Sequence, residues 1–351
     1  VAGPSGIGKR TLVDHLLARY AGERGEPSDW CYVNDFDNPS RPRMLRLPPG
    51  KGVELRRDME KLIERLLTTV PTVFRGDEYR RRMTNIQEEY QDQEARLFSE
   101  LNDDARARGM VVIRTPGGYT IGPVREGKLM TPAQFNELPK AEQDAAKAVI
   151  ENLNQKLKTI IESIHGWQEE SVGRVKAIDN EFIHDIIDPM LASLKSRYQM
   201  YPPVLEFLST AHRDMVENIF DFLPGEQQDA STPLRKKVFA TEHLRYHVNV
   251  LVDNNGASCV PVVYENNPTF QNVIGRIEHI AHMGTLVTNF TLIKPGALHR
   301  ANGGYLILDA RMVLTNSFVW DALKRAIRSR EIRIESVERV LSLASTTSLE
   351  P

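Results

Sequence analysis

The 351-residue sequence holds only two cysteines, Cys31 and Cys259, far apart and in no C-x-x-C arrangement. That excludes a disulfide framework and points to a reducing, cytosolic setting. No apolar run approaches the ~20 residues that a membrane helix needs, and no signal peptide is visible, so no membrane partner is expected. There is no excess of either charge: 45 Lys plus Arg stand against 47 Asp plus Glu, a net charge of −2. A nucleic-acid binder normally shows a basic excess, so this balance argues against a nucleic-acid partner. Arg41, Arg43 and Arg46 could form a local basic patch, but scattered solvated arginines explain them better. Internal repeats and low-complexity tracts are also missing. What is present, 41% hydrophobic and 26% charged residues, is a globular composition with enough chain for two or three domains.

Three textures follow one another. To about Gly50 a Gly-rich loop is mixed with short strand-like runs, CYVNDF (31–36) and MLRLP (44–48). From about Val53 to Glu242 long helical patterns dominate. Tyr79, Met83, Ile86, Tyr90, Leu97 and Leu101 fall at spacings of threes, fours and sevens, as do Ile150, Leu153, Leu157, Ile160, Ile164 and Trp167. Such spacing keeps one narrow stripe toward a partner helix. The β-branched runs of 109–130, punctuated by Pro116-Gly117-Gly118, predict a small hairpin between two antiparallel arms. Pro189 and Pro202-Pro203 are expected to break the helical run and start a shorter helix over 205–222. From about Tyr246 the texture returns to α/β: VNVLVDN and VPVVYE read as strands, FVWDALKRAIRS as a helix and EIRIES as a strand. One α/β domain interrupted by a long helical insertion is therefore expected.

GPSGIGKRT (3–11) carries most of a phosphate-binding loop. Gly3, Gly6 and Gly8 would let backbone N–H groups turn inward around phosphate oxygens, and Lys9 would reach the β and γ phosphates. Val13, Leu16 and Leu17 recur at helical spacing, so a helix with its N-terminal dipole follows the loop. Arg10 departs from the pattern, standing where a Ser or Thr hydroxyl would bind Mg²⁺. Thr11 does not replace that hydroxyl directly, because one helical residue rotates a side chain by ~100°. A second nucleotide signature is the apolar run Tyr305-Leu306-Ile307-Leu308 ending in Asp309, an acid that can hold Mg²⁺ directly or through water. The next residue is Ala310 rather than a water-activating Glu. Arg10 and Ala310 together argue against hydrolysis, while arginine still offers charge to a bound nucleotide or phosphate.

WCYVNDFDNPSRPRMLRLPPGKG, RTPGGYTIGP, WDALKRAIRSREIRIES and above all IKPGALHRANGGYLILDA resemble bacterial Lon-like proteases of the LonB/LonC type, over essentially the whole chain. The resemblance implies a P-loop AAA+ α/β core interrupted by a long, mostly helical, coiled-coil-like insertion with a small β element. The core would comprise 1–52, with the P-loop, and 243–351, with the Walker B-like strand; the insertion would be 53–242. It further implies ATP or ADP with Mg²⁺, homohexameric rings, and a chamber that engages unfolded protein substrates. A Ser–Lys dyad in a C-terminal protease domain would cut them. That domain is expected beyond Pro351, so no catalytic residue is assigned in this chain. The implied cofactor-binding positions are Gly3, Pro4, Ser5, Gly6, Ile7, Gly8, Lys9, Arg10, Thr11 and Asp309, with Asp309 as the Mg²⁺ position. With only Val1-Ala2 before the loop, the strand that normally precedes it is cut short, so the chain reads as a piece of a longer protein.

Other constellations carry less. His243 and His247 lie four apart, a spacing that can place two imidazoles on one helix face. No third ligand is evident, and surface histidines are the better reading there and at His279 and His282. His299 reads as a support for the turn before the GGYLILDA strand. Two further readings stay open: a P-loop ATPase with a coiled-coil arm acting on other partners, and a nucleotide-independent scaffold or chaperone-like module.

Overall fold

The computed structural model describes residues 8–22, 25–115, 118–125, 128–224, 241–282, 285–316 and 318–334. In chain order the elements are α1 (Lys9–Gly22), β1 (Asp29–Val33), β2 (Arg43–Leu47), α2 (Lys51–Phe74), α3 (Asp77–Ala107), β3 (Met110–Thr115), β4 (Gly118–Arg125), β5 (Lys128–Leu129), α4 (Pro132–Asn136), α5 (Lys140–Arg197) and α6 (Pro202–Glu217). They continue with β6 (Val248–Val252), β7 (Val262–Glu265), α7 (Phe270–Ile274), β8 (Gly275–Ile277), β9 (Ile280–His282), β10 (Thr285–Val287), β11 (Ile293–Pro295), α8 (Ala297–Arg300), β12 (Tyr305–Leu308), α9 (Ala310–Thr315) and α10 (Val319–Ser329). Short 3-10 turns lie at Ile219–Phe222, Thr241–Tyr246 and Phe290–Leu292. The chain divides into two compact units, one of Val1–Pro71 with His184–Pro351, the other of Thr72–Ile183.

The Thr72–Ile183 unit consists of two antiparallel helical arms with a β element at one end. Cross-links descend α5 as they ascend α3: Tyr79 donates to Asp179 (2.8 Å), Glu89 pairs with Arg174 (2.7 Å) and Asp104 with Lys156 (2.6 Å). The two ion pairs fix register more than they stabilise, since each is screened by water and salt. The stabilising term is the apolar cluster of Leu101, Ala105, Met110, Ile121, Leu153 and Leu157. Phe98 stacks on Tyr119 beside it, with ring centroids 4.7 Å apart. The hairpin expected over 109–130 is present as β3 paired antiparallel with β4, and the short β5 adds a third strand.

In the other unit β1 is the middle strand of an antiparallel sheet ordered β2-β1-β6. Its Cys31, Tyr32 and Val33 are all buried. Burial pushes the Cys31 thiol up to about 12, with Asp29 and Asp253 adding to it, so it packs as a small apolar residue. Asp29 is fully buried and binds two backbone amides, Gly52 N–H in the first turn of α2 (2.9 Å) and Asn254 N–H (2.8 Å). A carboxylate at a helix N-terminus is favourable, and here it joins three distant stretches of chain. Asp58 on α2 accepts from Arg197 Nη1 (2.6 Å) and Tyr198 OH (2.9 Å), tying α2 to the end of α5.

Two expectations need correction. Pro189 does not break the helix: α5 runs through it to Arg197, because proline removes one backbone bond and the flanking apolar contacts of the buried Ile187 and Leu191 hold the rest. Pro202-Pro203 do end the long helical run and open the shorter α6, as expected, at a position where a missing N–H is harmless. Residues 331–334 form no strand; Ile334 is buried against Tyr32, Leu251, Phe290 and Ile293 without joining their ladder. Among the described residues parallel pairing is confined to β7 and β12.

Candidate functional site

Gly3, Pro4, Ser5, Gly6 and Ile7 lie outside the described residues, as does the side chain of Lys9. The site begins for us at Gly8, whose φ of 74° lies in the left-handed region that glycine tolerates and other residues resist. Leu12 N–H bonds back to the Gly8 carbonyl (3.0 Å), which closes the first turn of α1. The helix packs on β7 through two side chains. The Arg10 guanidinium lies over the Tyr264 ring, 4.5 Å from its centroid, and Asp14 accepts the Tyr264 hydroxyl. Arg10 is thus spent on an aromatic face and offers no oxygen to a metal. Thr11 is exposed.

β7 lies parallel to β12, with Tyr264 opposite Ile307 and Glu265 opposite Leu308. This register brings the strand that carries the α1 contacts beside the strand that ends at Asp309. Asp309 caps α9: its Oδ1 accepts the N–H groups of Arg311 (2.8 Å) and Met312 (3.3 Å). Its Oδ2 has no hydrogen-bond partner among the described residues. Glu265 receives Arg300 (3.1 Å) and the Asn267 N–H (3.0 Å), which commits that carboxylate to structure.

The sequence Ala301-Asn302-Gly303-Gly304 sets β12 in place. Gly303 has φ 80°. Gly304 passes so close to β7 that a Cβ there would overlap the Pro261 carbonyl, whose oxygen accepts the Tyr305 N–H (2.9 Å). His299 supports the preceding turn, as expected, by accepting the Gly296 N–H at Nδ1 (3.3 Å). Burial, with help from Arg300, brings its pKa from 6.5 down to about 4, so it is neutral and able to accept at pH 7.

His243 and His247 are buried, not surface residues, at 2% and 4% exposure. His243 lies in a 3-10 turn and stacks on Phe222 with centroids 4.8 Å apart. Its pKa is lowered, chiefly by burial. The H-x-x-x-H spacing could not reveal this, because burial is decided by the distant Phe222. His279 is exposed as expected, and the His282 side chain lies outside the described residues.

Two features escaped the sequence reading. The β9–β10 hairpin presents apolar side chains to water, with Ile280 54%, Leu286 60% and Val287 41% exposed. Its adjacent apolar residues, Ile280-Ala281 and Leu286-Val287, were a signal, but their exposure was not. The second is the grouping of His184, Asp188 and His212 across α5 and α6. His184 and Asp188 show helical i,i+4 spacing in the sequence; their meeting with His212 needs the fold.

Comparison with protein-family models gives the class. Residues 258–351 match the LonB-like AAA domain, the segment that contains β7, the exposed hairpin, β12 and Asp309. Residues 29–62 match the Lon-like LonC helical domain. Both matched segments are similar to domains of the Lon-like protease family, one of them its AAA domain. No curated protein sequence matches it. Among the described residues no helix is long and apolar enough to cross a membrane.

Proposed function

We propose that the chain is the AAA+ and substrate-handling portion of a cytoplasmic Lon-like serine protease that degrades unfolded or misfolded proteins. In this reading 1–52 and 243–351 are the two parts of the AAA+ core, 53–242 is the insertion, and six copies close a ring. No Ser–Lys dyad is assigned to these residues. The observation that carries the reading is the β9–β10 hairpin inside the LonB-like AAA match, with Ile280, Leu286 and Val287 facing water. An extended apolar ribbon can hold an unfolded chain by apolar contact and backbone pairing, which a folded protein does not offer in return.

ATP or ADP is held by Gly3–Thr11, with the loop amides and Lys9 on the phosphates. The Oδ2 atom of Asp309 can face Mg²⁺, whose role when bound is to neutralise phosphate charge. The residues fit binding better than hydrolysis. Arg10 lies on Tyr264, Asp309 is half-committed to the α9 cap, and Ala310 cannot activate water. Those same contacts favour a second reading, in which the nucleotide fold is kept as a scaffold and no nucleotide binds.

The test of the main reading uses a labelled, reduced and carboxymethylated polypeptide as the unfolded probe. Ile280→Asp with Leu286→Asp should weaken its binding at least tenfold in fluorescence anisotropy; unchanged binding overturns the substrate role of the hairpin. Thermal melting with ATP or ADP and Mg²⁺ separates the two nucleotide readings. A bound nucleotide at a hundred times its dissociation constant adds about 2.7 kcal/mol, and an unmoved midpoint selects the scaffold.

A further inference from the structure

His184 and Asp188 lie one turn apart on α5, so both project from the same face of that helix. His212 comes from α6, on the far side of the Tyr198–Tyr201 turn. His212 Nε2 is 2.8 Å from Asp188 Oδ1, and His184 Nδ1 is 3.3 Å from both Asp188 oxygens. The two imidazole rings meet edge to face with centroids 6.2 Å apart. One ligand atom from each residue can be chosen so that all three lie within 4.8 Å of one another. The three residues belong to one compact unit, and none of them takes part in the nucleotide or hairpin contacts above.

We propose that His184, Asp188 and His212 form a binding site for a divalent transition cation, zinc in the first instance, which clamps the last turns of α5 to α6. Two imidazoles and one carboxylate are a donor set suited to zinc or iron(II) rather than to magnesium or calcium, which prefer all-oxygen shells. Zinc–ligand bonds of about 2.0–2.1 Å at tetrahedral angles place ligand atoms about 3.3 Å apart. Both contacts to Asp188 already lie near that separation, and the remaining histidine pair, within 4.8 Å, closes by at most about 1.5 Å through side-chain rotation. With 49% and 51% of the His184 and Asp188 side chains exposed, a fourth position stays open to water and the ion can enter from solvent.

The proton balance is simple. A neutral imidazole whose ligating nitrogen carries the proton shifts it to the other ring nitrogen. An imidazolium releases one proton to solvent, so binding weakens as the histidines become charged. The nearby Arg213 guanidinium is engaged by Asp37 at 2.8 Å. Its charge is therefore partly compensated, and it competes less with the ion.

The test uses the whole 351-residue chain, freed of metal with EDTA, and zinc chloride alone as the probe. At pH 7.5, competition against a chromophoric chelator should report one zinc per chain. Cobalt(II) in place of zinc should give the visible absorption of a four- or five-coordinate ion. Zinc should raise the melting midpoint, and EDTA should reverse the rise. His184→Ala with His212→Ala should weaken zinc at least tenfold while circular dichroism stays that of the wild type, and the milder Asp188→Asn should weaken it as well. His279→Ala, an exposed histidine elsewhere, should change nothing. The proposal is overturned if the wild type takes up no stoichiometric zinc at tens of micromolar protein. It is equally overturned if the double variant binds zinc as tightly as the wild type, in which case the triad is only a hydrogen-bonded clasp.

Discussion

Acidification should loosen the turn before β12 through His299. The imidazole is 7% exposed, and burial first and Arg300 second move its pKa from 6.5 in the open chain to about 4 in the fold. An imidazolium also has no lone pair for the Gly296 N–H, so protonation removes a hydrogen bond and charges a buried ring together. Because the folded value lies below the unfolded one, the unfolded chain takes up the proton first. The contribution is complete above about pH 6.5 and is lost as pH falls toward 4, a span corresponding to on the order of 3 kcal/mol. That is a large part of the 5–15 kcal/mol typical of a domain. His243, also lowered by burial, works in the same direction. The assay is urea denaturation at a series of pH values from 7.5 to 4.5, for the wild type and His299→Gln. The variant does not titrate at this position, so its stability advantage or deficit relative to wild type should change by about 2–3 kcal/mol across the series. The His299 ring protons of the folded wild type, followed by NMR, should titrate near pH 4. Parallel stability curves and a ring titrating near 6.5 would refute the reasoning.

Three further outcomes follow from single contacts. Gly304→Ala places a methyl group on the Pro261 carbonyl, backbone against backbone, and should cost more than about 3 kcal/mol in chemical denaturation; a variant as stable as wild type contradicts the close approach. Leu153→Ala empties a fully buried position in the helical unit and should cost about 2–5 kcal/mol, visible as faster hydrogen exchange over α3 and α5. Asp309→Ala should lose about 1 kcal/mol of helix capping while Asp309→Asn keeps it. If the Asn variant nevertheless weakens Mg²⁺-dependent nucleotide binding, Oδ2 faces the metal; equal binding places the metal elsewhere.

The helical arms were legible because their apolar residues keep one face over several turns, as in Leu101, Leu153 and Leu157, which the structure buries together. The strand ending at Asp309 was legible for a related reason, an apolar run bounded by a glycine pair and an acid. What local pattern could not show was decided by neighbours distant in sequence. Glu331 to Ile334 alternate correctly for a strand, yet no edge is offered to them, and Ile334 is buried as an irregular segment. Pro189 reads as a breaker but sits in a helix held from both sides by tertiary contacts. His243 could be recognised as buried only with Phe222 in view. The grouping of His184 and Asp188 with His212 depends on a partner 24 residues further along, on another helix.

The central place of β1 has a consequence for how the protein is made. Its hydrogen-bonding partners are β2, made moments later, and β6, which starts at Val248 opposite Val33. Synthesis runs at about 5–20 residues per second, so roughly 200 intervening residues take on the order of 10–40 s. For that interval one edge of β1 stands unpaired, its Cys31, Tyr32 and Val33 uncovered, and one oxygen of Asp29 waits for the amide of Asn254. The compact Thr72–Ile183 unit emerges in the meantime. A nascent chain stalled before Asn254 carries an open sheet edge and is prone to pair with its neighbours. The strand at the centre of this sheet is closed on its second side only when β6 arrives.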